Sequence, residues 1–396
     1  MKTRHKADVA IIGGGIIGLA IAYELKMRGC SPVVLERGII GAEASSRNGG
    51  GVRAQGRLLA EIPVAMKAIE MWQDLHVRLG HPTGYGQTGH VYIAESQADL
   101  DMLNRKRDRE MAVGLKSEMI GPDRLLELAP GLEHGYFGAK FCPTDGAADP
   151  SQATLAFARA YEKLGGIILD NERVLAIGTR NRRVTHVETE ASIVEAPAVV
   201  LAAGTWSPVI AQTIDLYLPV YPRRNNMSFT VPLPLQTTVF TQSASLNMAI
   251  RQMPDGTVML ASGAGQPEGK TAFTYRKDYH GLAPGETPRP AKADEMFPAV
   301  RAAPIAGRWA GITENTPDKM PIVDLIDEKQ GGADGFYVAT GFSGHGFCLG
   351  PLIGREMAEW IVNGHPTIDL SPFAFERFTK GNSPWDLINH QLQEVG

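Results

Sequence analysis

Along the chain, the apolar positions change period in a way that marks strands and helices alternating at both ends. Residues 8–12 (DVAII) form a short, unbroken apolar run, as expected of a strand covered on both faces. Residues 16–28 switch to a helical period, with Ile17, Ala20, Ile21 and Leu25 on one face and Gly29 closing the segment. Residues 32–36 (PVVLE) read as a second buried strand, so the chain opens with one compact βαβ unit. Helical periodicity returns over 57–79 (Leu58, Ile62, Ala65, Met66, Ile69, Trp72), over 97–112 as a charged surface helix, and over 151–164 and 350–362. Residues 83–95 predict a turn and a strand, and 173–188 a hairpin. Residues 198–203 (AVVLAA) and 334–341 (DGFYVATG) predict further buried strands. Between them, 218–329 is rich in Pro, Thr and polar residues and predicts antiparallel strands with long loops.

Length and charge narrow the possibilities. A chain of 396 residues exceeds one simple core, and its 43% hydrophobic and 21% charged residues are ordinary for a globular protein. A net charge of −4 gives no basic surface for nucleic acid or an anionic membrane. Cys30, Cys142 and Cys348 lie far apart with no CxxC pair, which predicts reduced thiols, a cytoplasmic setting and no metal or iron–sulfur site. The apolar stretch from Val9 to Tyr23 follows a basic start, as a signal peptide would. Four glycines interrupt it, Glu24 and Lys26 follow at once, and no cleavage site is clear; a strand running into a helix is the better reading. No 20-residue apolar span predicts a transmembrane helix.

The chemistry begins at Gly13-x-Gly15-x-x-Gly18. These glycines lie between a buried strand and a helix, and Glu36 ends the next strand 18 residues after Gly18. Gly13 permits a tight turn, Gly15 lets a pyrophosphate approach the backbone, and Gly18 lets helix and strand pack closely. The start of the helix offers free N–H groups and partial positive charge to phosphates. A carboxylate at Glu36 suits ribose hydroxyls and repels a 2′-phosphate. Dinucleotide binding is therefore expected, with NADP disfavoured. No second GxGxxG is present for a separate NAD site.

Five further segments then occur in a recognisable order: AEASSRNGGGVR (42–53), DGAADPSQATLAFARAYEKLGG (145–166), VVLAAGTWS (199–207), TPDKMPIVD (316–324) and GFSGHGFCLGPLIGREMAEWI (341–361). Together they resemble the D-amino-acid oxidase/glycine oxidase/sarcosine oxidase family of flavoproteins, over most of the chain. The resemblance is strongest to β subunits of heteromeric sarcosine oxidase and of opine (octopine or nopaline) oxidase. It implies an α/β fold: a Rossmann-type FAD-binding domain with an inserted α+β substrate domain on an antiparallel sheet. The corresponding segments are 1–82, 145–217 and 330–380 for the FAD domain and 83–144 and 218–329 for the substrate domain, with 381–396 as a surface tail.

The resemblance also implies FAD, and a set of residues that contact it. Beyond Gly13, Gly15, Ile17, Gly18 and Glu36, these are Arg37, Ser45, Ser46, Arg47, Asn48, Gly50 and Gly51 in the segment passing the flavin. Val174 holds adenine through main-chain groups, and Ala203, Gly204 and Trp206 line the cofactor's path. Gly341, Gly344, His345, Gly346 and Phe347 form the closing flavin loop. Gly311 stands where monomeric sarcosine oxidases carry a flavin-linking Cys, so the flavin is expected to be non-covalent. Gln152 stands near the position of the histidine that holds a second flavin, FMN, in the heteromeric enzyme.

The implied reaction is oxidation of the C–N bond of an amino acid or N-substituted amino acid. Hydride passes to flavin, and the resulting imine is hydrolysed. Arg53, closing NGGGVR, is the candidate for the substrate carboxylate, since a guanidinium binds carboxylate through paired N–H groups. An Arg bridging loops or contacting FAD phosphate is the other reading of that residue. His345 is the second candidate catalytic residue. The family's Lys after GHGF is Cys348 here, which leaves Arg223, Arg224 or Arg251 as other carboxylate partners, or a substrate larger than sarcosine. The Lys that speeds reaction with oxygen falls near Met259 and is absent, so electrons are expected to pass to another subunit or acceptor. A stand-alone D-amino-acid or glycine oxidase using oxygen is the alternative.

Overall fold

In the computed structural model, which describes residues 2–245, 248–263 and 291–379, the first apolar run lies inside a six-stranded sheet. Val9–Ile12 is at most 2% exposed because it is flanked on both edges, by Ala198–Leu201 and by Pro32–Leu35, in parallel register. Phe336–Thr340 and Ile167–Leu169 extend the parallel sheet on either side, and Ile322–Leu325 closes one edge antiparallel. The helix Ile16–Met27 packs against the closing helix Gly346–Asn363, where Gly354 lies so near Ala20 that an added Cβ would come within 2.5 Å. Buried, nearly continuous apolar strands of this kind need cover on both faces, which explains why their sequence shows no alternation.

A second, eight-stranded sheet runs in the order Ile305–Asn315, Tyr221–Thr230, Val258–Gly263, Met248–Gln252, Phe240–Ser243, His90–Ala94, Gly138–Cys142, Glu118–Ile120. Among the described residues, the expectation of antiparallel strands over 218–329 holds with one exception, while 246–247 and 264–290 lie outside them. Phe240–Ser243 runs parallel to His90–Ala94, at the seam where two separated chain segments meet and no hairpin dictates direction. The same stretch also contains the helices Ala291–Met296 and Pro298–Ala302.

The predicted hairpin appears as Val174–Arg180 and Arg183–Thr189, joined by Asn181 and Arg182, both at positive φ (49° and 57°), which matches the twist of the flanking strands. It sits in a four-stranded sheet with Ser192–Glu195 and Thr3–Lys6. The periodicity predicts no strand over Thr3–Lys6, because Thr-Arg-His-Lys at a sheet edge has no apolar alternation.

Two helix starts differ from the periodicity. The helix predicted from 57 begins at Ile62. Arg57 instead donates to the Arg53 carbonyl at 2.6 Å and pairs with Glu61 at 2.5 Å, holding 53–61 in turns, and Pro63 then suits a first helical turn. The helix predicted from 350 begins at Gly346, four residues earlier. Pro351 points to a helix start, yet here the helix carries through it and forgoes that residue's amide bond. No helix among the described residues is long and apolar enough to cross a membrane, and 381–396 lies outside them.

Candidate functional site

The turn after Val9–Ile12 is possible only for glycine. Gly13 has φ +117°, and a Cβ there would come 2.3 Å from the Ala202 carbonyl oxygen. The chain thereby passes against Ala202–Gly204 and opens a cavity of about 350 Å³. Gly13, Gly15 and Ile17 form one wall, at the end of a helix whose first N–H groups have no intrahelical acceptor. Ser45 Oγ takes the Ile16 N–H at 2.9 Å, which ties the 42–53 segment to the same helix end. Gly18 is off the wall; a Cβ there would come 2.0 Å from the Gly13 carbonyl oxygen, so it serves helix–strand packing.

Glu36 lies on the wall with its carboxylate organised by backbone: Oε2 accepts from the Gly14 N–H and Oε1 from the Gly38 N–H, each at 2.8 Å. Burial pushes this carboxyl up, and the two amides oppose that shift. Each oxygen keeps a lone pair for a further donor. The Arg37 guanidinium covers the Trp206 ring at 3.9 Å, and Val174, Ala203 and Gly204 complete the rim. A glycine-built cradle at a helix N-terminus, with a carboxylate at the next strand's end, fits a dinucleotide diphosphate and its ribose.

Glu314 also faces this cavity. Burial raises its carboxyl to about 7, with the main-chain groups of Glu314 and Phe342 only partly offsetting it.

A second chamber of about 290 Å³ abuts the first, and Ala44 and Ile312 line both. Arg47, Asn48, Gly49, Gly51 and Arg53 contribute one side of it, and Gly344, His345 and Phe347 another. Arg53 is held at its backbone: its carbonyl accepts from Arg57 Nε at 2.6 Å and Cys348 Sγ at 3.6 Å. The next residue's N–H binds Asp145 Oδ1 at 2.7 Å. One Arg53 N–H goes to the Gln55 carbonyl at 2.6 Å, leaving others for a ligand. Burial pushes Asp145 up to about 6, against its two amide bonds and the nearby Arg53 and Arg57.

His345 Nδ1 lies 2.8 Å from Glu61 Oε2, and Glu61 also pairs with Arg57. Burial would raise the Glu61 carboxyl, but His345 and Arg57 outweigh it and hold it at about 2. Burial lowers the imidazole of His345, and Glu61 offsets this only in part. The ring is therefore neutral at pH 7, with its proton on Nδ1 toward the carboxylate.

Several anticipated residues stand elsewhere. Gly50, at φ +75°, packs against Ala148, where a Cβ would come within 2.1 Å of the carbonyl oxygen. Ser46 and Gly341 lie in loops and Gly346 is the first residue of the closing helix, and none of the three lines either cavity. Arg251 is spent on the Ala148 carbonyl at 2.6 Å, and neither it nor Arg224 lines the chamber, whereas Arg223 does. Met259 packs against Gly49 and Phe240 closes beside it. Gly311 faces the Arg47 backbone, with 3.1 Å left for a Cβ. Gln152 is exposed and helps cap its own helix through Asp149. Sequence reasoning missed Glu61, Arg57, Asp145, Gln242 and Glu314. The i,i+4 spacing of Arg57 and Glu61 was the one local signal available.

A profile of the DAO family, described as FAD dependent oxidoreductase, matches residues 8–360. The chain is 28% identical to glycine oxidase of Geobacillus kaustophilus, over 94% of this chain and 97% of that protein. It is 27% identical to sarcosine oxidase subunit beta of Arthrobacter, over 96% and 93%. The chain also matches the mouse pyruvate dehydrogenase phosphatase regulatory subunit at 29% identity, but spans about 45% of that protein's length. Its structure resembles that of L-proline dehydrogenase from P. horikoshii, with TM-score 0.85 and 26% identity over 96% of this chain and 99% of the other.

Proposed function

Because the chain belongs to the DAO family of FAD-dependent oxidoreductases, we propose that it oxidises an N-substituted amino acid of opine or sarcosine type and passes the electrons to a partner subunit or acceptor. The coarser activity is the family's: FAD-dependent oxidation at the C–N bond of amino-acid-like compounds. The observation that supports C–N oxidation on FAD held by this chain is the contact between the two cavities. The glycine-built cradle and the arginine-lined chamber share Ala44 and Ile312, so cofactor and substrate sites meet along one wall.

In this reading the amides of Gly15 and Ile17 hold the diphosphate, Gly13 shapes the turn with its N–H given to the Leu35 carbonyl at 2.9 Å, and Glu36 holds the adenosine ribose. Val174 and the Arg37–Trp206 pair bound the nucleotide end. The absence of a side chain at Gly311 supports non-covalent binding. FAD bound there supplies an acceptor for the hydride that leaves the substrate Cα.

The chain's own residues do the rest. Arg53 pairs with the carboxylate and fixes the Cα position. An amino acid enters as an ammonium ion, whose nitrogen has no lone pair to push out a hydride. Neutral His345 accepts that proton at Nε2, and the resulting imidazolium is stabilised by the ionised Glu61 at Nδ1. Loss of hydride from Cα and a second proton from nitrogen gives an imine, and water then yields a carbonyl compound and an amine.

No lysine lines the chamber among the described residues, which supports slow reaction with oxygen. The subunit-β description of the Arthrobacter relative supports a partnered enzyme. The test is to supply D-amino acids, N-methyl amino acids, prolines and opines with an artificial electron acceptor. Acceptor reduction matched by carbonyl product is expected. Steady peroxide formation without any acceptor would instead favour a stand-alone oxidase.

A further inference from the structure

One wall of the chamber is a face of the eight-stranded sheet, and its register lays out a trough. Gln242 pairs with Ala249, Ala249 with Ala261, and Ala261 with Met227. The row therefore starts at an amide and crosses two methyl groups. Asn225 and Arg223 follow at two-residue steps on the strand of Met227, on the same face. Neighbouring strands are about 4.8 Å apart, so roughly 14 Å of floor separates the strand of Gln242 from that of Arg223.

Hydrogen bonding decides which end of the Gln242 amide enters the trough. Gln55 Nε2 lies 2.6 Å from the His90 carbonyl oxygen, which can only accept. The same nitrogen lies 2.7 Å from His90 Nδ1, so Nδ1 also accepts and the ring proton sits on Nε2. Nε2 then donates to Gln242 Oε1 at 2.7 Å. The Gln242 oxygen is thus committed, and its NH₂ is left for the chamber. Gln55 and His90 are fully buried, and Phe240 and Tyr92 pack against the His90 ring at 5.4 and 4.8 Å, so the chain is rigid.

The charge of the chamber is one-sided. Its lining includes Arg47, Arg53, Arg57 and Arg223, and among the described residues no carboxylate lines it. Arg57 is neutralised by Glu61. Arg223 Nε is buried with no hydrogen-bond partner among the described residues. A substrate with one carboxylate uses Arg53 and leaves Arg223 facing no anion across the alanine floor.

We infer that the substrate carries two carboxylates, one on each side of its amine: Arg53 and the Gln242 amide take one, and Arg223 takes the other. This rests on the C–N oxidation proposed above and narrows its substrate to amino-dicarboxylates.

Thiodiglycolate and (methylthio)acetate test the inference on the FAD-loaded protein. They are a two-carboxylate and a one-carboxylate probe with sulfur in place of nitrogen, so neither can form an imine. Calorimetric titration should show the dianion binding at least about tenfold more tightly. Arg223→Met should shrink that ratio to below about threefold, and Arg223→Lys should restore most of it. Gln242→Glu should weaken both probes by about tenfold, through loss of a donor and gain of repulsion. A wild-type ratio near one, or a ratio unmoved in Arg223→Met, overturns the two-carboxylate reading. Unchanged affinities in Gln242→Glu remove Gln242 from it. If the probes bind as expected while no amine reduces the flavin, the proposed reaction fails and the binding inference stands.

Discussion

Glu61 Oε2 lies 2.8 Å behind His345 Nδ1, placing a buried ionised carboxylate at the back of a ring whose other nitrogen is left for the substrate chamber. Glu61 raises the basicity of an imidazole that burial otherwise lowers. Replacing it with Gln removes that support, so the imidazole becomes a still weaker base. Glu61→Gln should cut kcat/KM by about 10- to 100-fold and move the acid limb of its pH profile to lower pH. Stopped-flow reduction of the flavin across pH measures both. An unmoved acid limb would reduce the pair to a structural contact.

Glu314 predicts a pH-dependent stability. Its folded carboxyl titrates at about 7, above the usual carboxylate range. Between these values the folded state binds more protons than the unfolded one, so stability falls as pH rises through the window and stays low above it. In the flavin-free protein, Glu314→Gln should gain roughly 2 kcal/mol over the wild type at pH 8 and less than about 1 kcal/mol at pH 5. Urea unfolding at the two pH values checks the sign.

Arg53 and Arg251 should behave differently although both lie near the glycine run. Arg53→Lys keeps a charge but loses paired N–H geometry, so kcat/KM should drop about 10-fold or more with FAD content unchanged. Arg251→Met leaves the Ala148 carbonyl without its donor, and should cost roughly 1–3 kcal/mol of stability. Thermal melts and steady-state kinetics on both variants separate the roles. Loss of FAD in Arg53→Lys would move that residue to the cofactor.

Glu36→Gln keeps the size of the side chain but turns one acceptor into a donor facing an amide. FAD should bind about 10- to 100-fold more weakly, read by equilibrium fluorescence of released flavin. Unchanged affinity would mean that Glu36 serves only the Gly14 and Gly38 amides.

What the sequence reveals follows from how local each feature is. Gly13, Gly15 and Glu36 announce themselves because one βαβ unit contains the whole device. Arg53 and His345 could be picked out from short stretches, but not what holds them, since Glu61 and His345 are 284 positions apart and meet only when two helices pack. The Gln55–His90–Gln242 chain is further hidden, because it crosses the parallel seam between Phe240–Ser243 and His90–Ala94. Periodicity also misplaced the start of the helix at Ile62, where the Arg57–Glu61 pair overrides the apolar pattern. Arg251 looked available as a cation, and only its burial against Ala148 shows that it is not.

The central claim is that this chain oxidises the C–N bond of an amino-acid-type substrate on its own bound FAD. Mixing the FAD-loaded protein anaerobically with sarcosine, iminodiacetate, D-amino acids, prolines and opines tests it most directly. The account predicts that at least one of these amines abolishes the visible flavin absorption and releases one equivalent of carbonyl product. A flavin that dithionite reduces but none of these compounds does would contradict it.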